Sequence, residues 1–450
     1  PAYDSFRGHQ LIHIVPDFTR LLQPSCKLPC YHSPKNQFLE LSISYQSQRF
    51  SSFQYRDYRL FWIGGATSNI GMWMLIAGRL WLMKELSDSP TMLGLVTASS
   101  LGPMLLLTMW GGVIADRVNR TKLIMVTRAL FAVIAFATGV LIIFKLIEPW
   151  HVIATSFATS ILLAFDIPSR QAMVANLVPT HLLPNAISLY ALLSGGASVI
   201  GPALLSLTVT IIGLEGLFFS VGAAYLLTVF SFTLIKTKAT GNLNQEKSNW
   251  HNLKQGVSYV RGQRQISSLI LIAVIFGILG MSFTTLLPIF ADTVFLGGLN
   301  SYSLLLLGEG VGGLLGAIVI SKSATMTSSI NLFIVGAVGF SLNLMLFSQS
   351  DSLTIGIGII TLVGITSIMF NTLNNVVIQT LVSEEYRGRV MSIHQFTWGS
   401  TAIGGLLLGY LTSLLSGPIV LFLSGLVLCV ITIIWILRNP RKHFLTMATV

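Results

Sequence analysis

Gly112-Val113-Ile114-Ala115-Asp116-Arg117-Val118-Asn119-Arg120-Thr121-Lys122 places four charged side chains in eleven residues, in a chain that is only 10% charged and 53% hydrophobic. On either side the charge thins out. Residues 92–114 and 123–144 are apolar over the roughly 20 residues that a helix needs to cross a bilayer. A compact charged turn between two such stretches reads as a surface loop joining two transmembrane helices.

Working outward, windows of about 20 apolar residues recur near 60–84, 92–114, 123–144, 150–167, 186–213 and 216–235. A second set follows near 267–290, 301–321, 329–348, 353–380, 390–415 and 417–437. The mean hydropathy of +0.75 is too high for one soluble domain. The expected fold is therefore an all-α membrane protein of twelve transmembrane helices. An even number of crossings puts both termini on one side, and 24 of the 27 Lys and Arg residues fall there, with only Arg79, Lys84 and Lys145 on the other. That is the positive-inside pattern, so both termini and the central loop are expected to be cytoplasmic, in the plasma (inner) membrane. The net charge of +11 then reports topology and contact with anionic lipid, and no nucleic-acid partner is expected.

The chain repeats itself. Phe165-Asp166, Leu177-Val178-Pro179 and Ala186-Ile187-Ser188 recur as Phe370-Asn371, Leu381-Val382-Ser383 and Val390-Met391-Ser392, an offset of 204 or 205 residues. This divides the chain into an N-terminal six-helix bundle over 56–236 and a C-terminal one over 266–440. Between them lies a polar, basic linker, 237–265, whose amphipathic stretch around Leu253 to Val260 is expected to lie along the cytoplasmic interface. Residues 1–55 lack an apolar run and are expected to be a disordered cytoplasmic tail, or sequence preceding the functional start; 441–450 form a second tail. Cys26, Cys30 and His32 have zinc-like spacing but are one ligand short of a tetrahedral set, so no metal centre is expected. Cys429 lies in the last span and reads as packing.

The spacing G-x-x-x-D-R-x-x-R from Gly112 to Arg120 resembles the loop between the second and third helices of major facilitator superfamily transporters. Within that superfamily the chain is similar to the secretion-effector group that includes the enterobactin exporter and macrolide efflux proteins. The segments that carry the similarity are Arg59-Leu60-Phe61-Trp62, Ser68-Asn69-Ile70-Gly71 with Trp73, and Ser169-Arg170-Gln171-Ala172. Leu183-Pro184-Asn185-Ala186, Ile200-Gly201-Pro202-Ala203-Leu204 and Arg387-Gly388-Arg389-Val390-Met391-Ser392 add to them. The resemblance implies two pseudo-symmetric bundles with the substrate path at their interface near the bilayer midplane, working as a monomer on a small molecule. In the superfamily loop the Gly permits close helix packing, the Asp faces a neighbouring helix N-terminus, and the basic residues hold the cytoplasmic surface. Where the family usually has a second Gly this chain has Asn119, the next best residue for a positive φ. The Gly-Pro pair at Gly201-Pro202 resembles the fifth-helix signature of drug/proton antiporters, although Leu205-Ser206 replace its trailing glycines. Export of an amphipathic organic molecule is the function implied.

Certain residues are candidates for carrying transport. Glycines let helices approach and slide, and Gly308, Gly312 and Gly316 in span eight and Gly405 and Gly409 in span eleven have small-x-x-x-small spacing, with simple packing as the plainer reading. Gly195, Gly196, Gly201 and Pro202 form a run that can flex or kink. Ionisable groups inside spans are costly and thus functional candidates. Glu309, eight residues into span eight, is the candidate for proton coupling, the alternative being a structural polar pair. Arg79 either snorkels outward from span one or faces the cavity, where it would favour anions or pair with Glu309. Gly112, Asp116, Arg117 and Arg120 with Asp166 and Arg170 form one charged cluster, and Glu384, Glu385, Arg387 and Arg389 its counterpart in the other half. They read as a cytoplasmic gate, with Asp116 reaching the start of span eleven near Val390, and with Asp166 and Arg170 paired if the helix continues past Pro168. Asn69, Trp73, Trp81, Asn343, Asn371, Asn374, Asn375, Gln379, His394 and Trp398 complete the candidate cavity lining; amides and aromatics suit an amphipathic cargo.

No G-x-x-x-x-G-K-[ST] loop occurs, so an ion gradient, most simply of protons, is expected to drive transport, with no cofactor. No nucleophile, His or Asp set clusters at one depth, which argues against an intramembrane enzyme. An importer or lipid flippase on the same fold, and a transport-dead sensor or scaffold, remain as rivals.

Overall fold

The computed structural model describes residues 50–237, 249–321 and 325–439, without the side chains of Met109, Asp116 and 249–253. The expected N-terminal tail with Cys26, Cys30 and His32, part of the linker and the tail 441–450 lie outside the described residues. The described chain is helical throughout. In the first half α1 spans Arg56–Leu86, α2 Pro90–Arg117, α3 Arg120–Ile143, α4 Pro149–Leu177 and α5 Leu183–Thr233. In the second half α6 spans Asn249–Gly262, α7 Arg264–Ile275 with an irregular continuation to Val294, and α8 Gly298–Ser321. The last four are α9 Met326–Ser348, α10 Leu353–Leu381, α11 Glu384–Leu414 and α12 Gly417–Arg438.

Among the described residues, ten segments are long and apolar enough to cross a membrane. One of them holds two crossings. Helix α5 has 51 residues, about 75 Å at 1.5 Å per residue, and is broken at Gly213, where φ is +76°. Only glycine enters that region without strain. The twelfth crossing is α11, whose four charges within residues 384–389 dilute an otherwise membrane-length helix of 31 residues. Short connections make successive helices antiparallel, so Arg56 and Arg438 arrive at the same end, called here the termini end.

Prolines inside the spans free backbone carbonyls, and glycines of neighbouring helices pack against them. Pro168 lies within α4 and leaves the Ala164 carbonyl without its usual donor. Gly111 of α2 packs directly on that carbonyl, where a side chain would collide with it. Pro202 likewise frees the Ser198 carbonyl of α5, and Gly310 of α8 approaches it so closely that a Cβ would lie 3.2 Å away. Two details of the charged turn differ from expectation. The close approach is made by Gly111, while Gly112 has open space around it. Asn119 keeps a negative φ of −66° and caps α3, its side chain accepting from the Lys122 backbone N–H at 3.0 Å. An N-cap satisfies an orphan donor, which outweighs the turn the missing glycine would have made.

Candidate functional site

The two halves meet along two seams. Helix α2 crosses α11 where Gly94 faces Gly405 and Gly409 lies under Pro90; a Cβ on Gly94 would stand 3.1 Å from the Gly405 carbonyl carbon. One turn further in, the hydroxyls of Thr97 and Thr285 are bonded at 2.9 Å. Helix α5 crosses α8, with Gly310 against Val199 and the Ser206 hydroxyl bonded to the Asn300 amide oxygen. Near the end opposite the termini, Lys84 of α1 pairs with Asp292 at 2.9 Å and with Asp88 at 3.1 Å. Trp81 stacks on Tyr302 with centroids 5.7 Å apart, and its Nε1 donates to Glu85 at 2.6 Å. These ties cluster at the opposite end and close it.

Lys84, Asp292, Gly94 and the Thr97–Thr285 bond were not candidates in the sequence, because each gains meaning only from a partner some 190 to 310 residues away. A partly buried ion pair of this kind is worth about 1 kcal/mol. Lys84→Glu is therefore expected to raise maleimide labelling of a cysteine placed at Thr285 severalfold, and Lys84→Glu combined with Asp292→Lys to bring it back down.

The termini end is organised differently, with charges paired inside each half. Glu384 with Arg387 (4.0 Å) and Glu385 with Arg389 (3.8 Å) are exposed pairs along α11 itself. Arg117 is exposed, and Arg120 reaches the Ala115 and Ala172 carbonyls and the Asn176 amide oxygen, the last at 2.8 Å. The Asp116 side chain, and hence its expected reach toward Val390, is outside the described residues. Helix α6 seats on the start of α11: Tyr259 stacks on Tyr386 at 4.4 Å, and the Ser383 N–H donates to the Tyr259 hydroxyl at 3.4 Å.

Inside the N-terminal bundle α4 does continue through Pro168, and Asp166 accepts from Arg170 Nε at 2.6 Å. It also accepts from Arg128 Nη2 at 2.6 Å and Thr127 at 3.2 Å, and Arg170 in turn donates to the Tyr190 hydroxyl at 2.8 Å. Arg128, one of the 24 cations counted on the termini side and only six residues past Lys122, is 1% exposed. The repeat offset maps this network onto the second half residue by residue. Arg128, Asp166, Arg170 and Tyr190 correspond to Phe333, Asn371, Asn374 and His394. There Phe333 stacks on Phe370 at 5.2 Å and His394 bonds Asn374 at 3.0 Å. One half holds ions where the other holds aromatics and a neutral pair.

Of the cavity candidates, the structure brings Asn371 and Trp398 together. They line an open cleft with Ala273, Gly277, Met281, Thr397 and Thr401. Trp398 is 58% exposed. The cleft forms where α7 loosens into a π-turn at Phe276–Gly280 and a 3-10 turn at Met281–Thr285, and irregular turns of this kind are frequent at binding sites. Asn374 and His394 instead face each other inside the bundle, Asn375 and Gln379 bond each other along α10, and Asn69 donates to the Gly65 carbonyl of its own helix. Trp73 packs on Gly201, and Asn343 is half-buried on α9.

Arg79 does not snorkel: 3% exposed, it points into its own bundle and donates to Thr159 at 2.6 Å. Gly308, Gly312 and Gly316 pack against α10 within the second half, whereas Gly405 and Gly409 lie on the α2 seam. Gly195 touches Leu314 across the halves, while Gly196 faces open space and Pro202 is buried. Glu309 is half-buried on α8, has no ion-pair partner among the described residues, and lies within electrostatic reach of Tyr302, two turns along the same face.

Two helical bundles in contact along two seams, with an open cleft in the second bundle, define a multi-pass membrane transporter. The chain belongs to the transmembrane secretion effector family, whose model matches residues 47–444. It is 25% identical over 340 residues to the staphyloferrin A transporter of Staphylococcus aureus, covering 75% of this chain and 85% of that one. It is 20% identical over 350 residues to macrolide efflux protein A of Streptococcus pyogenes, covering 77% and 86%. Among solved structures, a POT family transporter in complex with 5-aminolevulinic acid superposes with a TM-score of 0.67 at 15% identity, over 86% of this chain and 96% of that one. The inward-facing, occupied bacterial homologue of the lysosomal transporter Spinster gives 0.64 at 16%, over 88% and 97%. At these identities the solved structures speak for the fold.

Proposed function

We propose that this protein is a secondary transporter that exports a small amphipathic organic molecule from the cytoplasm by alternating access, in exchange for protons. It acts in the plasma membrane with both termini cytoplasmic, its bundles spanning 56–236 and 266–440. The carrying observation is the closure of the end opposite the termini by Lys84–Asp292, Thr97–Thr285 and the Gly94–Gly405 crossing. Closure at that end is what a carrier open toward the other end requires. Among the described residues, Glu384–Arg387 and Glu385–Arg389 pair within their own half in this state. They are placed to pair across the halves when the access switches.

Export is supported by the family and by the relative named for macrolide efflux. The cleft supports an amphipathic cargo, because Trp398 and Met281 offer apolar faces and Asn371, Thr397 and Thr401 neutral hydrogen-bonding groups. The coupling reading rests on Glu309. A carboxylate inside a span with no cation beside it is costly to hold charged, and taking up a proton removes that cost. Glu309→Gln in proteoliposomes is expected to abolish efflux driven by a pH gradient while leaving exchange of cargo for cargo. Full pH-driven efflux by that variant would remove the proton role.

A further inference from the structure

The N-terminal bundle encloses more cations than it neutralises. Arg79, Arg128 and Arg170 are each 5% exposed or less, and Asp166 is the one carboxylate bonded to them among the described residues. Arg170 uses its donors on Asp166 and Tyr190. The other two do not. Arg79 donates from Nη1 to Thr159 and leaves Nε and Nη2 enclosed without a partner; Arg128 donates from Nη2 to Asp166 and leaves Nε and Nη1. The Tyr225 hydroxyl and the Ser156 hydroxyl, one turn of α4 from Thr159, are enclosed and unpartnered as well. Tyr225 connects the two arginines, lying within electrostatic reach of both, with the Arg128 guanidinium 5.3 Å from its ring centroid.

Packing does not require these ions. At the equivalent places in the other bundle the fold is built from uncharged groups: Phe333, Asn371, and Asn374 bonded to His394. Nor does the bilayer tolerate them cheaply, since an enclosed guanidinium without an anion carries a desolvation penalty of several kcal/mol. Guanidinium groups donate and never accept, so what completes this chamber must bring acceptors and negative charge.

We propose that the chamber walled by Arg79, Ser156, Thr159, Arg128 and Tyr225 binds a small anion, either a carboxylate or a halide. It is separate from the Trp398 cleft, and the existence of the site does not rest on the transport reading; only the origin of a bound carboxylate, as part of the cargo, does. Charge-assisted hydrogen bonds from Arg79 and Arg128 would hold the anion, with the two hydroxyls filling its remaining acceptor sites.

The test is thermal unfolding of the full chain in detergent at constant ionic strength, with gluconate replaced stepwise by chloride, acetate or citrate. The wild-type midpoint is expected to rise and saturate with at least one of these anions. Arg79→Met is expected to lose that dependence and to unfold at a higher temperature than wild type in gluconate, because a neutral side chain replaces an unpaired buried charge. Tyr225→Phe keeps the ring over Arg128 and is expected to weaken the apparent affinity about tenfold through loss of one charge-assisted hydrogen bond. Efflux then separates the two sources. Loss of transport of carboxylate-bearing cargo in Arg79→Met identifies the cargo's own carboxylate, and retained transport identifies a resident inorganic ion. No saturable anion effect in the wild type, as expected if water alone fills the chamber, overturns the proposal, and so does an equal effect in both variants. The stability readout stands whether or not the chain transports anything.

Discussion

Asp166→Ala is expected to cost the N-terminal bundle about 3–5 kcal/mol, the range for breaking a buried ion network by removing one partner. The aspartate is fully enclosed and takes three hydrogen bonds, two of them from arginines at 2.6 Å. Removing it leaves Arg128 and Arg170 facing each other with no anion between them. The expected result is a sharp fall in folded yield and in the unfolding midpoint in detergent. A companion variant, Arg128→Phe with Asp166→Phe and Arg170→Asn, borrows the stacked Phe333 and Phe370 and the neutral Asn374 of the second half. It should recover much of the stability, because replacing a buried ionic triad with well-packed apolar groups is often neutral or better. Recovered folding with lost transport would assign the triad to function; an Asp166→Ala variant as stable as wild type would contradict the network as described.

Gly94→Val is expected to hold the protein open at the end opposite the termini. The α2–α11 crossing has no room for a side chain at Gly94, where the obstacle is the backbone of Gly405, which cannot rotate away as a side chain can. Overpacking of this kind costs about 1–3 kcal/mol, and the open form does not bear it. The equilibrium therefore moves toward the open form by roughly five- to a hundredfold. With the native cysteines replaced by serine, a cysteine at Thr97 or Thr285 should become strongly reactive to an impermeant maleimide, and efflux should fall to near background. Unchanged labelling together with unchanged efflux would show that the seam does not have to close.

Much of this was readable in advance, and the reason is the solvent. A bilayer demands long apolar helices whatever their partners, so the spans could be counted from hydropathy, including α11 despite its charged start. The repeat likewise survived in the chain order, 205 residues separating Phe165-Asp166 from Phe370-Asn371. The site was less readable. Arg128 looked like a loop cation because it follows Lys122 by only six residues, yet it lies two turns inside α3, where its guanidinium meets Asp166. The repeat carried a signal that could have found it, since Arg170 and Tyr190 are separated as Asn374 and His394 are.

What the sequence by itself determined is the membrane setting, the two-fold plan and the family, all consequences of composition and of order along the chain. Only the tertiary structure decided which way Arg79 turns, that Gly111 and not Gly112 meets its neighbour, that Lys84 answers Asp292, and that α7 loosens beside Trp398. Helix formation in lipid is dictated by local apolarity, whereas the direction of a side chain around its helix, and the partner it finds, depend on how distant helices pack.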